Sequence, residues 1–463
     1  MRKLILASAL LFHTATAWAA LPVAVYECRS SATAGNVNGG GWNSARGGSD
    51  YTLQDAAQVH STDGVSTAST NFTSVTGGFT DAMKGNFLHL ISATGADEVV
   101  GWYEIVSVTD ANTVVLDRTS GTYTLADFYI GGAMSLASTL DDEFFEIFIA
   151  GSTVWVKAGT YTMGEAVSVV NDATAALPTN INGYNATRGD NPTGASRPTL
   201  DFAANQSAFA GNYYNFRNFI ITTTSAAGFE TGTGQILENI KITNSGTAGK
   251  EAMTISSGDT GTRVINCELI STNGTACEND GSHTRFVGCY FHDSVGGLVS
   301  TASGVLLTYC IFDTCTTALS IGATGDRIMA INNTFYGAET PAGTGVTITD
   351  TSAIESIFLN NIIYGFTTGV TTVSALETNF WDYNDFYNNT TARTNVTAGA
   401  HDLAVDPTFT SAAAGDFSIG TNLKAAGFPG AFQGGLSTGY LDVGAVQRQE
   451  AGSSTNVLGE ITG

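Results

Sequence analysis

The sequence predicts an all-β protein: a right-handed, single-stranded parallel β-helix of three parallel sheets and about eleven or twelve coils, preceded by a small β-rich domain. Three observations lead there. A short phrase returns every twenty-odd residues. Within that phrase apolar and variable positions alternate. The composition, with 54 Gly and 7 Pro in 463 residues, suits short strands and tight turns rather than long helices.

The phrase is plainest in "VINCELI" (264–270), "FVGCYFHD" (286–293) and "LTYCIFDT" (307–314). Its register position falls at Phe219, Ile240, Cys267, Cys289, Cys310, Asn333, Asn361 and Asn384, in steps of 21, 27, 22, 21, 23, 28 and 23 residues. A recurrence of this length marks stacked units. Two residues further on, every position is large and apolar, from Ile221 and Ile242 to Ile363 and Phe386. The residues between are mixed: Ile220, Lys241, Glu268, Tyr290, Ile311, Thr334, Ile362 and Asp385. This in-out-in pattern is a strand with one face buried.

A unit of about 22 residues is too short for strand, helix and return, and fits three short strands with turns. Equivalent residues on successive coils then lie about 4.8 Å apart, so like stacks on like. Cys267, Cys289 and Cys310 form an internal column, continued by Asn333, Asn361 and Asn384, whose amides can bond coil to coil and so offset their burial. Packing accounts for the cysteines as free thiols; a bridge between neighbouring coils is the alternative. No CxxC pair offers a zinc site.

The elements follow in order. Residues 1–19 read as a secretory signal peptide: Arg2 and Lys3, an apolar run from Leu4 to Phe12, and small residues at Ala17 and Ala19. Residues 20–50 are a Gly/Ser-rich extended lead-in. Residues 51–135 form the small β-rich domain, with a hairpin turn at Asp110-Ala111-Asn112. Residues 136–150 suggest an amphipathic helix, acidic at its start (Asp141, Asp142, Glu143), that covers the open end of the stack. The β-helix and its closing segment span 151–447, beginning with "VWVKAGTYT" (154–162), and 448–463 form a flexible tail.

Loss of Arg2 and Lys3 takes the formal charge from −23 to −25. An acidic surface excludes a basic nucleic-acid groove and repels anionic polymers at long range. No segment of the mature chain is apolar for long enough to form a membrane-spanning helix. The expected location is secreted, extracellular or at a cell surface, with a virion-associated role compatible.

Several segments resemble secreted right-handed β-helix proteins of the pectate-lyase-like superfamily. They are "AGSTVWVKAGTYT" for the opening strand, "VDPTFTSAAAGDFSIG" (405–420) for the closing coil and "GYLDVGAVQ" (439–447) for its end. "GGWNSARGGSDYT" is similar to the N-terminal regions of β-helix proteins from environmental bacteria and tailed phages. The resemblance implies a fold; the architecture carries lyases, glycosidases, tailspikes and adhesins alike. It also implies that a polysaccharide-cleaving member needs paired carboxylates, or Asp-bound calcium with a basic residue as base. No cofactor is expected, and calcium is compatible.

The densest ionisable group is Asp280, His283, Arg285, His292, Asp293 and Asp313. His292 and Asp313 hold the same position on adjacent coils and could pair as acid and base. His292, Asp313, Asp293 and Arg285 are therefore the catalytic candidates. Tyr290, Trp381, Tyr336, Tyr364 and Tyr387 are candidates for stacking on sugar rings, although stacking along the axis explains the tyrosine column without a ligand. Lys241 and Glu268 are neighbours and are expected to form a surface ion pair. Arg188-Gly189-Asp190 spells an adhesion tripeptide in what reads as a turn.

The leading reading is an exported or virion-associated structural, surface or glycan-binding element, leaning away from catalysis. One alternative is a polysaccharide lyase or glycoside hydrolase with a shallow site near His292 and Asp313. Another is a trimeric tailspike or adhesin with Ile311 and Ile362 packed between chains. Expected partners are a polysaccharide or cell-surface glycan, with the chain a monomer or homotrimer.

Overall fold

The computed structural model describes residues 23–447 apart from 34–35, 96, 136–147, 165, 169–171, 206, 225–227, 247–248, 323, 351–354, 374–378 and 430–440. The signal segment, most of the expected capping helix with Asp141, Asp142 and Glu143, and the tail lie outside the described residues.

The chain winds as a parallel β-helix. The first coil opens with Thr153–Lys157 and Thr160–Thr162, and the last holds Phe380–Asp382, Asp385–Tyr387 and Thr391–Thr394. Each later coil contributes one strand to each of three sheets, and every pairing between successive coils is parallel. The third sheet has 10 strands, so the stack is shorter than the eleven or twelve coils expected. The difference lies after residue 394. Residues 405–420, expected as a closing coil, run instead across the outside of the second sheet.

The recurring phrase is the corner between the first two sheets. One residue in the left-handed region turns the strand, and the next points inward. The turning residues are Asn218, Asn239, Asn266, Gly288, Tyr309, Asn332, Asn360 and Tyr383, with φ from 51° to 65°. Asn and Gly tolerate that region best, which is why five of the eight are Asn and one is Gly.

The inward residues form the predicted column, fully buried or nearly so. Asn361 Oδ1 accepts from the backbone N–H and the Nδ2 of Asn333 at 2.9 and 3.0 Å, and Asn361 Nδ2 donates to Asn384 Oδ1 at 2.9 Å. The Asn Nδ2 groups also donate to Leu307 O, Ala330 O and Phe358 O on the preceding coil, at 2.8–3.1 Å. Each buried amide thus bonds to the coil on either side, which removes the penalty of its burial. The cysteines above are free thiols in the same role. Cys267, Cys289 and Cys310 aim Sγ at the matching carbonyls of Leu237, Val264 and Phe286, at 3.2–3.5 Å. At the bottom, Asp402 Oδ1 accepts the Asn384 N–H at 2.9 Å, and Arg393 pairs with its other oxygen at 2.6 Å.

Aromatic rings stack beside this column: Phe291 on Phe312 at 4.5 Å, Phe312 on Phe335 at 4.8 Å, Phe358 on Trp381 at 3.8 Å. One continuous core results.

Residues 59–130 form a closed six-stranded antiparallel barrel with its own core around Phe72, Leu90, Tyr103 and Phe128. The hairpin turn stands where expected, between Gly101–Asp110 and Thr113–Leu116. The barrel also seals the top of the stack: its Phe87 and Trp102 belong to the stack's core, as does Phe148. The lead-in is not merely extended, because Val25–Cys28 pairs in parallel with Thr153–Lys157 as an extra rung.

A third apolar cluster lies outside the coils. Ile311, Tyr336, Ile362 and Tyr364 point outward from the second sheet and are covered by Ala412, Phe417, Ile419, Leu423, Val443 and Ala445 of the C-terminal segment. The Ala445 N–H donates to Thr334 Oγ1 at 3.0 Å and the Gly444 N–H to Asn360 O at 2.8 Å, fixing that segment to the wall. Ile311 and Ile362 therefore present no surface to a neighbouring chain, and the packing proposed for a trimer is taken by the protein's own C-terminus.

Candidate functional site

Upstream of the covering segment several outward residues of the second sheet are partly open to solvent, while Ile270 and Ile311 at its edges are buried. Two outward columns run there, two residues apart along each strand. One carries Lys241, Glu268, Tyr290 and Ile311; the other carries Ile270, His292 and Asp313. The strands put these groups within reach because neighbouring rungs are one sheet spacing apart.

The ionisable groups bond to one another. Glu268 Oε1 pairs with Lys241 Nζ at 2.8 Å, as expected, and also with His292 Nε2 at 2.9 Å. His292 Nδ1 meets Asp293 Oδ2 at 2.9 Å. The Tyr290 hydroxyl donates to Asp313 Oδ2 at 2.6 Å, and the Tyr290 and His292 rings stack at 4.1 Å. His292 and Asp313 share a register position, but no direct hydrogen bond joins them; each is bonded to another residue.

The environment sets these groups apart. Burial penalises the charge of Glu268, yet His292 and Lys241 outweigh it and lower its carboxyl to about 2. Burial raises the Asp313 carboxyl, opposed by the Tyr290 hydroxyl and the nearby His292. Burial alone would lower the His292 imidazole, but its bonds to Glu268 and Asp293 raise it. Glu268 is thus held ionised while Asp313 keeps its proton to higher pH than an ordinary carboxyl, a separation of the sort that distinguishes base from acid.

The cluster has two borders. Arg197, nearly buried, donates to Asn239 O at 2.9 Å and feels the Glu268 charge. On the other side the 412–415 turn of the C-terminal segment approaches Tyr290: a Cβ on Gly415 would stand 3.5 Å from its hydroxyl.

The other sequence candidates fall elsewhere. Arg285 lies on the first sheet, exposed and in register with Arg263, on a different wall from His292. Asp293 stands at the corner after the second-sheet strand, with φ 48° and its side chain largely exposed. Trp381 points inward and stacks on Phe358, so it offers no face to a sugar. Tyr336 and Tyr364 are 5% and 7% exposed beneath the C-terminal segment, and Glu339 accepts from both hydroxyls, at 3.2 and 2.6 Å. Tyr387 continues their stack and is only partly buried.

Glu268 is the residue that sequence reasoning missed. It was expected only as the surface partner of Lys241, whereas it stands two coils from Asp313 in the neighbouring outward column. The adhesion tripeptide is tied down: Arg188 pairs with the buried Glu27 at 2.8 Å and with Asp50 at 3.0 Å, and Asp190 accepts backbone N–H groups of its own loop. Among the described residues, no group of three or more His, Cys, Asp or Glu is placed to hold a metal ion. No described helix is long and apolar enough to cross a membrane.

No protein-family model matches the chain, and no curated protein does. Solved structures similar to it include a pectate lyase, Pel9A (14% identity, TM-score 0.42, covering 68% of this chain and 92% of that one). An alginate lyase from Paenibacillus sp. str. FPU-7 follows at 12% identity and TM-score 0.38, covering 57% of this chain and 96% of that one. For the PL6 family alginate lyase AlyGC the values are 14% and 0.40, over 56% of this chain and only 39% of that one. The parallel β-helix is established by the strand pairing alone, and these similarities add no residue to the site.

Proposed function

We propose that this protein is an exported β-helix that binds a glycan on the open part of its second sheet, at Lys241, Glu268, Tyr290, His292 and Asp313. The single observation that supports this most is the cluster itself. In a chain with 13% charged residues, these groups converge on one strip of wall, half-buried and bonded to each other, beside a stacked Tyr290–His292 pair. Fixed polar groups next to an aromatic face suit the alternating hydroxyl and C–H faces of a sugar. The net negative charge favours a neutral glycan over an anionic one. A role at a cell surface or virion and the absence of a required cofactor are parts of the same proposal.

A second reading rests on the opposite shifts of Glu268 and Asp313. Their backbones are two sheet spacings apart across the strands and two residues apart along them, about 12 Å in all. The two side chains would have to lean toward each other to bring their carboxyls within the roughly 6.5–9.5 Å that leaves room for a water in inverting glycoside hydrolysis. In that reading Asp313 protonates the leaving oxygen and Glu268 activates water.

The test is a polysaccharide panel scored for binding and for released reducing ends. Binding by the wild type, weakened at least about tenfold in Tyr290→Ala and His292→Ala, supports the proposal. Reducing ends that vanish in Asp313→Asn and Glu268→Gln shift the conclusion to hydrolysis. Binding equally strong in all four variants overturns the site.

A further inference from the structure

The first sheet also carries an apolar outer stripe, and nothing described belongs on top of it. Leu306, Met329, Ile357 and Phe380 follow one another in register, with Ile331 and Leu359 beside them. None of the six belongs to a buried cluster, and Met329 and Phe380 are 38% and 47% exposed. A contiguous apolar strip of this kind, part exposed and part half-buried, marks an interaction surface.

Charge says what the surface fits. Above Leu306 the same column continues with Arg285 and Arg263, one sheet spacing apart and both exposed. Among the described residues neither has an ionic partner, although the chain has a formal charge of −23. Beside the lower rungs, the turns before Met329 and Ile357 carry Asp326, Arg327 and Glu355, the last two exposed and paired at 3.2 Å, for a net charge of one negative. The stripe is therefore cationic at one end, apolar below it, and flanked along its lower rungs by turns with a small net negative charge.

We propose that the outward face of the first sheet is a self-association surface, on which a second copy of the chain docks antiparallel about a two-fold axis between the Leu306 and Met329 rungs. Such an axis sets Leu306 against Met329 of the second copy, Arg285 level with its Glu355, and Arg263 level with its Phe380, where a guanidinium can cover a ring. Parallel docking, as in a three-fold fibre, would bring the arginines of each copy together and is disfavoured by their repulsion. The six rungs span about 24 Å, short of what a standard interface of roughly 800 Å² per partner needs, so the dimer is weak and concentration-dependent. This surface is separate from the glycan site on the second sheet.

Sedimentation of the mature chain over a concentration series tests it. The expected result is a reversible monomer–dimer equilibrium, lost in Met329→Glu and weakened at least about tenfold in Arg285→Glu, with Thr347→Glu on the third sheet unchanged. Thermal melting of each variant confirms that it folds. Orientation is read by oxidative crosslinking. An equimolar mixture of Arg263→Cys and Phe380→Cys chains should crosslink to each other and neither to itself, the native thiols being buried. A single monomer mass throughout the series, a trimer, or Arg263→Cys crosslinked to itself overturns the proposal.

Discussion

The second and first sheets carry similar outward stripes over the last coils and meet different fates. On the second, Ile311, Tyr336, Ile362 and Tyr364 are sealed under Phe417, Ile419 and Val443 of the same chain. On the first, Met329 and Phe380 are exposed, Leu306 and Ile357 are half-buried, and no described segment covers them. The strand pattern that makes the two stripes is the same. What differs is the described chain after the last coil, residues 395–429 and 441–447, which runs along one wall and not the other. The covered column records docking within the chain; on the open one the occupant is the second copy proposed above. Whether a column's partner lies in the same chain depends on where the chain goes next.

Substitution can break that comparison. The largest effect is expected from Ile362→Asp, which buries an unpaired carboxylate beneath the covering segment and should cost about 3–5 kcal/mol in urea denaturation. An equal loss from the same change at Met329 would erase the distinction between covered and open wall.

A pH effect of up to similar size sharpens it. Asp385 is an outward residue that the covering segment buries completely: the Val405 N–H donates to its Oδ1 at 2.8 Å, and burial raises its carboxyl to about 7. Below about pH 4 the folded and unfolded chains both hold this proton. Between about pH 4 and 7 the unfolded chain releases it and the folded chain does not, so stability falls as pH rises. Above pH 7 the loss is complete, at most about 4 kcal/mol. Asp385→Asn should abolish this term, so its melting temperature gains on wild type from pH 4 to 7 and then holds a constant lead. A gap that does not change with pH would show that Asp385 is not sealed.

The smallest effect is the counterpart of the first. Met329→Asp should change the stability of the monomer by no more than about 0.5 kcal/mol, since its carboxylate stays in water.

The inner column was legible because stacking repeats one environment at a fixed interval, and eight register positions are enough to reveal it. The αL corner was legible too, in "INNTFYG" and "LNNIIYG", where the first Asn turns the chain and the second joins the ladder. Only the second was read. The recurring phrase fixes the register of the second sheet only, so it does not place Trp381; on the first sheet its column of Val264, Phe286, Leu307, Ala330 and Phe358 points it inward. The covered wall was not legible. The contact of Phe417 with Tyr336 joins residues eighty apart with no shared period. At the site, the Lys241–Glu268 pair followed from the register, whereas the bond of His292 to Glu268 rather than Asp313 depends on a side-chain rotation that spacing does not encode.

Asp402 gives the stack a full stop. An amide can pass hydrogen bonds both ways, so a column of asparagines has no intrinsic length and would accept another rung from any chain that offered one. A carboxylate has only acceptors, and this one is saturated by the Asn384 N–H, the Gly399 N–H and the Arg393 guanidinium. An open-ended polymer of coils laid end to end is thereby closed off at this terminus by one change of functional group, from –CONH2 to –COO−.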